Sequence, residues 1–240
     1  MKKSVKRILV VLAVIIGIVV LFAGYFGLRF YLGTRDMAVA GTCRINDSVF
    51  CVRDNFVDVY LFKGKPGYVM SDAGIGETSL KAGLDKLGIS PDQVSAILMT
   101  HTDGDHIGAM GLFKKAKVFI HKEEEQMING KNGKFFFLRT KWKYGGYSLL
   151  NSNDTLTVDG LKVKVFHTPG HTPGSCCFLV GTDYLITGDN LAYKNGAFTH
   201  FTDIFNMNTK EQESSIKVLP NLKSIIYILT AHHGFIKNTP

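Results

Sequence analysis

The sequence contains no G-x-S-x-G elbow and no Walker A loop. It therefore offers neither a serine nucleophile raised on a strand-to-helix turn nor a P-loop cradle for phosphates. There is no low-complexity tract and no short repeat, which sets aside disordered scaffolds and repeat arrays. Acidic residues are missing altogether from positions 1–35, where Lys2, Lys3, Lys6, Arg7, Arg29 and Arg35 contribute +6 of the formal net charge of +8. The remaining 22 basic and 20 acidic residues leave the rest of the chain at +2. Nucleic-acid binding needs a clustered basic face, and none is visible there. The basic excess reads as a targeting signal. Nucleic acid is not an expected partner.

Ile8 to Phe26 is an unbroken run of apolar or small residues, and the chain stays largely apolar to Leu32. A helix needs about 20 such residues to cross the hydrocarbon layer, whereas the apolar core of a cleaved signal peptide spans about 7–15. An uncleaved anchor over residues 8–32 is therefore preferred to a cleaved signal. It follows a basic flank at 1–7 and precedes a linker at 33–41. Four basic residues before the run and two after it favour a cytoplasmic amino terminus. That places the body of the protein outside the cytoplasm, single-pass at the cell membrane.

Cysteine is scarce, with four in 240 residues. Cys43 and Cys51 flank the turn signal Asn46-Asp47-Ser48 and could pair across a hairpin, but a one-residue slip would separate them. Cys176 and Cys177 are adjacent in an apolar strand and point to opposite faces. The reading as small core residues is favoured for both pairs.

The domain at 42–240 is long enough to bury a core. Strand-like segments recur at 42–45, 49–52, 56–62, 67–71, 95–99 and 117–120. A second run lies at 155–158, 161–166, 176–180, 184–187 and 224–229. Helical periodicity appears at 77–87, 107–113 and 122–129, and Thr209-Lys210-Glu211-Gln212 resembles a capping box opening a further helix. Two runs of strands, each followed by helices, predict two packed sheets with helices outside. Residues 130–150 fit neither template. They mix basic and aromatic side chains, including the single tryptophan, Trp142. They read either as a lid over a pocket or as an insertion whose aromatics pack on the domain or toward the bilayer.

The chemistry concentrates just after strand 95–99, in Thr100-His101-Thr102-Asp103-Gly104-Asp105-His106. Four metal-ligand side chains within six residues are hard to explain as packing, because each buried polar group needs a partner. Imidazole nitrogens and carboxylate oxygens suit zinc, iron or manganese. The same grammar recurs three times. His171 lies in His167-Thr168-Pro169-Gly170-His171, Asp189 follows strand 184–187, and His232-His233 follows the last strand.

In this order the residues resemble the H-x-H-x-D-H signature of the metallo-β-lactamase superfamily and its later His, Asp and His. The likeness covers residues 42–240. It implies an α/β fold, the four-layer αβ/βα sandwich, and two divalent metal ions, zinc first with iron or manganese as alternatives. By position it assigns His101, Asp103 and His171 to one metal, Asp105, His106 and His232 to the other, and Asp189 to both. Asp72, in Asp72-Ala73-Gly74, matches a turn that supports the metal ligands. His232 is preferred to His233 as the last ligand, and His167 reads as a supporting or structural residue. One departure stands out: Asp103 replaces the family's second histidine, which adds hard-oxygen character at the first metal or weakens that site.

The resemblance implies hydrolysis of a small-molecule ester, thioester, lactone, lactam or phosphoester by hydroxide held between two metals, with Asp105 also orienting the water. An iron-dependent redox enzyme on the same fold and a non-catalytic binding module with a degenerate site are the alternatives.

Overall fold

The computed structural model describes residues 3–134 and 139–238. The chain divides into two compact units, residues 1–36 and 37–240.

The first unit is a single helix, α1 (Lys3–Thr34), with 32 residues. At 1.5 Å per residue it is about 48 Å long, more than the ~30 Å of a bilayer's hydrocarbon core. Its apolar side chains, from Ile8 to Leu32, are exposed. It is thus long and apolar enough to cross a membrane. The stretch Ala38-Val39-Ala40 has the small-residue spacing of a signal-peptide cleavage site, a feature that counts against the anchor reading. Its backbone is held within the second unit: Ala38 N–H donates to His232 O (2.9 Å) and Ala40 N–H to Asp58 Oδ2 (2.8 Å).

The second unit begins with a seven-stranded sheet of β1 (Cys43–Arg44), β2 (Val49–Asp54), β3 (Val57–Lys63), β4 (Tyr68–Ser71), β5 (Val94–Leu98), β6 (Lys117–His121) and β7 (Ser148–Leu150), in that order. The first four strands are antiparallel, and β4 to β7 are parallel. Crossovers between the parallel strands carry α2 (Glu77–Lys86), α3 (Gly104–Ile107) and α4 (Glu125–Ile128). The second sheet contains β8 (Thr155–Val158), β9 (Leu161–His167), β10 (Cys176–Val180) and β11 (Tyr184–Gly188). After a hairpin of β12 (Leu191–Lys194) and β13 (Ala197–His200) and helix α5 (Thr209–Ser215), the chain returns. It adds β14 (Tyr227–Thr230) and β15 (Phe235–Lys237) to the second sheet. The pair β11–β14 is parallel.

Three apolar clusters define the layers. Cys51, Tyr60 and Leu98 of the first sheet meet Val163, Phe178, Ile186 and Leu229 of the second. The outer face of the first sheet packs against Leu80 and Leu84 of α2. Phe166, Leu185 and Ile228 cover the outer face of the second with Ile216, Leu219 and Leu222. Helix, sheet, sheet, helix is the sandwich anticipated from the strand runs.

Local differences have physical reasons. The segments expected as helices at 107–113 and 122–129 are short α-turns joined to 3-10 turns, Met110–Leu112 and Lys122–Glu124. Helix α5 is capped by Asn208, whose side chain accepts Glu211 N–H at 3.1 Å, so the cap lies one residue before the proposed Thr209. The hairpin β12–β13 and strands β7 and β15 are too short to give a periodicity. Cys43 and Cys51 are direct register partners, as the turn signal suggested, and both thiols are free.

Asp58, 3 % exposed, accepts the Ala40 amide and lies 3.6 Å from Cys51 Sγ. Burial pushes its carboxyl up from 3.8 to about 7, against the opposing hydrogen bond from Ala40. The folded chain then keeps a proton that the unfolded chain releases near 3.8. The stability this group contributes is complete below 3.8 and is lost as the pH rises to about 7. Urea midpoints of the full chain and of Asp58→Asn should converge or cross over that interval, the native chain losing ground as pH rises. Parallel curves would contradict this.

Candidate metal centre

Each expected ligand sits just beyond the carboxyl end of a strand, where rigid elements present loops. β5 leads to His101, Asp103, Asp105 and His106; β9 to His171; β11 to Asp189; β14 to His232. Gly188 makes one of these junctions possible. Its φ is +51°, and a Cβ there would collide with the Thr100 side chain.

The structure brings all seven side chains together. Donor atoms of His101, Asp103 and His171 lie within 4.8 Å of one another, as do those of Asp105, His106 and His232 and those of His101, His106 and Asp189. Asp189 stands between the histidines of the two groups. Its Oδ1 is 3.5 Å from His106 Nε2 and 3.2 Å from His232 Nε2; its Oδ2 is 3.4 Å from His171 Nε2 and 4.0 Å from His101 Nε2. His233 lies outside these groups: its amide donates to Thr230 Oγ1 (2.9 Å) and its ring meets Phe201 edge-on.

The outer ring nitrogens explain the inner ones. His106 Nδ1 is 3.0 Å from Asp72 Oδ2, His232 Nδ1 is 2.8 Å from Phe56 O, and His171 Nδ1 is 3.0 Å from Asn206 Oδ1. His101 Nδ1 is 3.1 Å from Thr100 Oγ1, whose own proton goes to Asp72 Oδ2 (2.8 Å). Every one of these partners accepts, so each Nδ1 carries the ring hydrogen and each Nε2 turns a lone pair inward. This is the arrangement that fixes a metal-ligating imidazole. His101 Nε2, His106 Nε2 and Asp189 Oδ1 are buried and meet no hydrogen-bond partner among the described residues. Buried polar atoms are rarely left so, and a cation among them would satisfy all three. The donor set fits a divalent metal.

The electrostatics agree. Burial opposes charge on His106, but Asp189, Asp72 and Asp105 outweigh it and hold the ring well above the usual imidazole range. Burial also works against charge on His232, and again Asp189 prevails and raises it. A proton and a metal ion compete for the same lone pairs. His101 is pushed down to about 3 by burial and then by its neighbours His106 and His171. Asp103 and Asp105 keep 19 and 24 % of their side chains accessible, while the histidines keep 4 % or less, so the carboxylates line the mouth.

Two supports were not legible in the sequence. Glu124, buried beside α4, accepts from Thr102 N (2.8 Å), Thr102 Oγ1 (2.7 Å), Thr172 Oγ1 (2.7 Å) and Gly174 N (3.0 Å). It ties the first ligand loop to the His171 loop. Gly174 packs so closely on the Glu124 backbone that a Cβ there would clash. Lys134, 8 % exposed, donates to Asp103 Oδ2 and reaches His171 Nε2 at 2.8 Å. His167 binds Pro173 O (2.9 Å) and stacks on His121 at 3.9 Å, a structural place outside the cluster.

Of the segment 130–150, read as a lid or a packed insertion, residues 135–138 lie outside the described residues. Among the described residues, Trp142, Tyr144 and Tyr147 pack against the core of the first sheet. Thr140 Oγ1 donates to Thr102 O (3.0 Å) beside the ligand loop.

A family model of the metallo-beta-lactamase superfamily matches residues 52–232. The chain belongs to that superfamily, and it is an enzyme of the metallo-hydrolase kind. It is 28 % identical over 202 residues to a hydroxyacylglutathione hydrolase of Salmonella arizonae, covering 79 % of this chain and 72 % of that one. It is 25 % identical over 160 residues to a probable metallo-hydrolase of Methanocaldococcus jannaschii, covering 67 % of each. Among solved structures, a beta-lactamase from Chitinophaga pinensis superimposes with a TM-score of 0.63 at 21 % identity, over 81 % of this chain and 79 % of that one.

Proposed function

We propose that this chain is a membrane-anchored hydrolase of small-molecule acyl or phosphoryl compounds, namely esters, thioesters, lactones, lactams or phosphoesters. The observation that carries it is the set of four inward Nε2 lone pairs around Asp189. Asp105, His106, His232 and Asp189 would hold a divalent ion, zinc being the first choice for this donor set. His101, Asp103 and His171 form a second cation position on the Oδ2 side of Asp189. A bound metal supplies acidity to a water and polarises the oxygen of the group under attack.

The protein's own groups do the rest. Asp105, the more open carboxylate, accepts a hydrogen bond from the incoming water and orients it. Asp72 holds His106 and, through Thr100, His101 in their donating tautomers. Phe201, which stacks on His232 at 5.3 Å and meets His171 edge-on at 5.5 Å, keeps water from that side of the cluster. The thioester reading draws on the hydroxyacylglutathione hydrolase likeness. Helix α1 serves as the anchor, with the second unit outside the cytoplasm.

The test is the full chain, purified in detergent and loaded with zinc, assayed on chromogenic esters, thioesters, lactones, lactams and phosphodiesters. Turnover of at least one, abolished by a chelator and restored by metal, is the expected result. A folded, metal-loaded chain inert toward the whole panel would remove the hydrolase reading.

A further inference from the structure

The second cation position already holds a positive charge. Lys134 Nζ donates to Asp103 Oδ2 and stands 2.8 Å from His171 Nε2. Asp103 Oδ2 and His171 Nε2 are themselves only 3.1 Å apart. The tautomer of His171 decides what that means. The Asn206 amide nitrogen donates to Phe201 O (3.2 Å) and Gln212 Oε1 (2.7 Å), which leaves Asn206 Oδ1 to accept from His171 Nδ1. His171 Nε2 is therefore an acceptor facing a carboxylate oxygen, and two acceptors this close need a cation between them.

An imidazole nitrogen has one lone pair in the ring plane, which can go to an ammonium or to a metal but not to both. A metal here would sit about 2.0–2.2 Å from both donors, displacing the ammonium that bridges them. Lys134 would then lose these acceptors in a place where only 8 % of it reaches water, and an unpaired buried ammonium is costly.

On the metal reading given above, we propose that Lys134 is the resident cation of this position, so that the chain holds one divalent ion rather than two. The departure of Asp103 from the family pattern then has a reason, since a carboxylate pairs with an ammonium where a histidine would not. Charge supports this. The three carboxylates of the donor set, Asp103, Asp105 and Asp189, are balanced by one divalent ion and one ammonium. Lys134 acts on the site as a positioning residue, setting Asp103 and His171 and excluding a second metal.

The experiment is metal stoichiometry by mass spectrometry on the full chain, after saturation with zinc and desalting. Native protein should carry one ion per chain, and Lys134→Ala should carry two. Lys134→Met, which keeps the aliphatic stem, should also carry two, and Lys134→Arg should stay at one. Two ions in the native chain would overturn the inference and leave the hydrolase reading standing. One ion in both uncharged variants would overturn it too. No ion in any of them would remove the metal reading and this inference together.

Discussion

Asp189→Ala is expected to abolish detectable metal retention and to cut kcat/KM by ~10³-fold or more. A bound metal contributes several kcal/mol to stabilising the charge that develops in such reactions, and each 1.36 kcal/mol is a factor of ten in rate. The effect should exceed that of removing any one histidine, because Asp189 presents one carboxylate oxygen to each cation position, with Oδ1 toward His106 and His232 and Oδ2 toward His171 and His101. The fold should survive. The side chain makes no hydrogen bond that a strand depends on, and the Asp189 carbonyl would still accept from Gln212 Nε2 (2.9 Å). Metal analysis and steady-state kinetics on the same preparation check the two halves. A variant that kept its metal and most of its turnover would be incompatible with the geometry described.

Glu124→Ala should do the opposite, costing stability rather than chemistry in the first instance. Its carboxylate is the common acceptor for four donors on two loops, all of them buried. Removing it strands them without water to replace it, at roughly 1–3 kcal/mol each. With partial relaxation, a loss of about 3–5 kcal/mol is expected. For a domain of this size that lowers Tm by about 10 °C, readable by thermal denaturation of the full chain in detergent. Burial pushes this carboxyl up to about 7, against its hydrogen bonds from Thr102 and Thr172. Glu124→Gln, which keeps one acceptor oxygen, should lose less. Equal losses in the two variants would show that shape rather than hydrogen bonding matters at this position.

The sandwich and the clustering of the candidate ligand side chains are legible in the sequence because each rests on a local signal. Alternation and apolar runs marked the strands, and the ligand residues fall at strand ends, so that order along the chain became proximity in space. His232 over His233 was legible only as a motif alignment; the Nδ1 contact with Phe56 O supplies the physical reason for its inward Nε2. What was not legible is what depends on distant partners. Glu124 looks like one of three successive glutamates on a polar turn, Glu123-Glu124-Glu125, and nothing local says which of them is buried. Lys134 lies in a stretch read only as basic and aromatic, and its meaning appears once Asp103 and His171 are seen on either side of it. Asn208 and Thr209 are both good capping residues, and only the Asn208 contact with Glu211 N–H decides between two positions one residue apart.

The central proposal is that Asp105, His106, His232 and Asp189 hold one divalent cation, with Lys134 as the cation beside Asp103 and His171. Anomalous diffraction at the zinc edge, from crystals of the zinc-loaded full chain, tests it most directly. The expected result is a strong peak within coordinating distance of Asp105, His106, His232 and Asp189. A map with no peak among those side chains, or with its zinc bound elsewhere on the chain, would contradict the account.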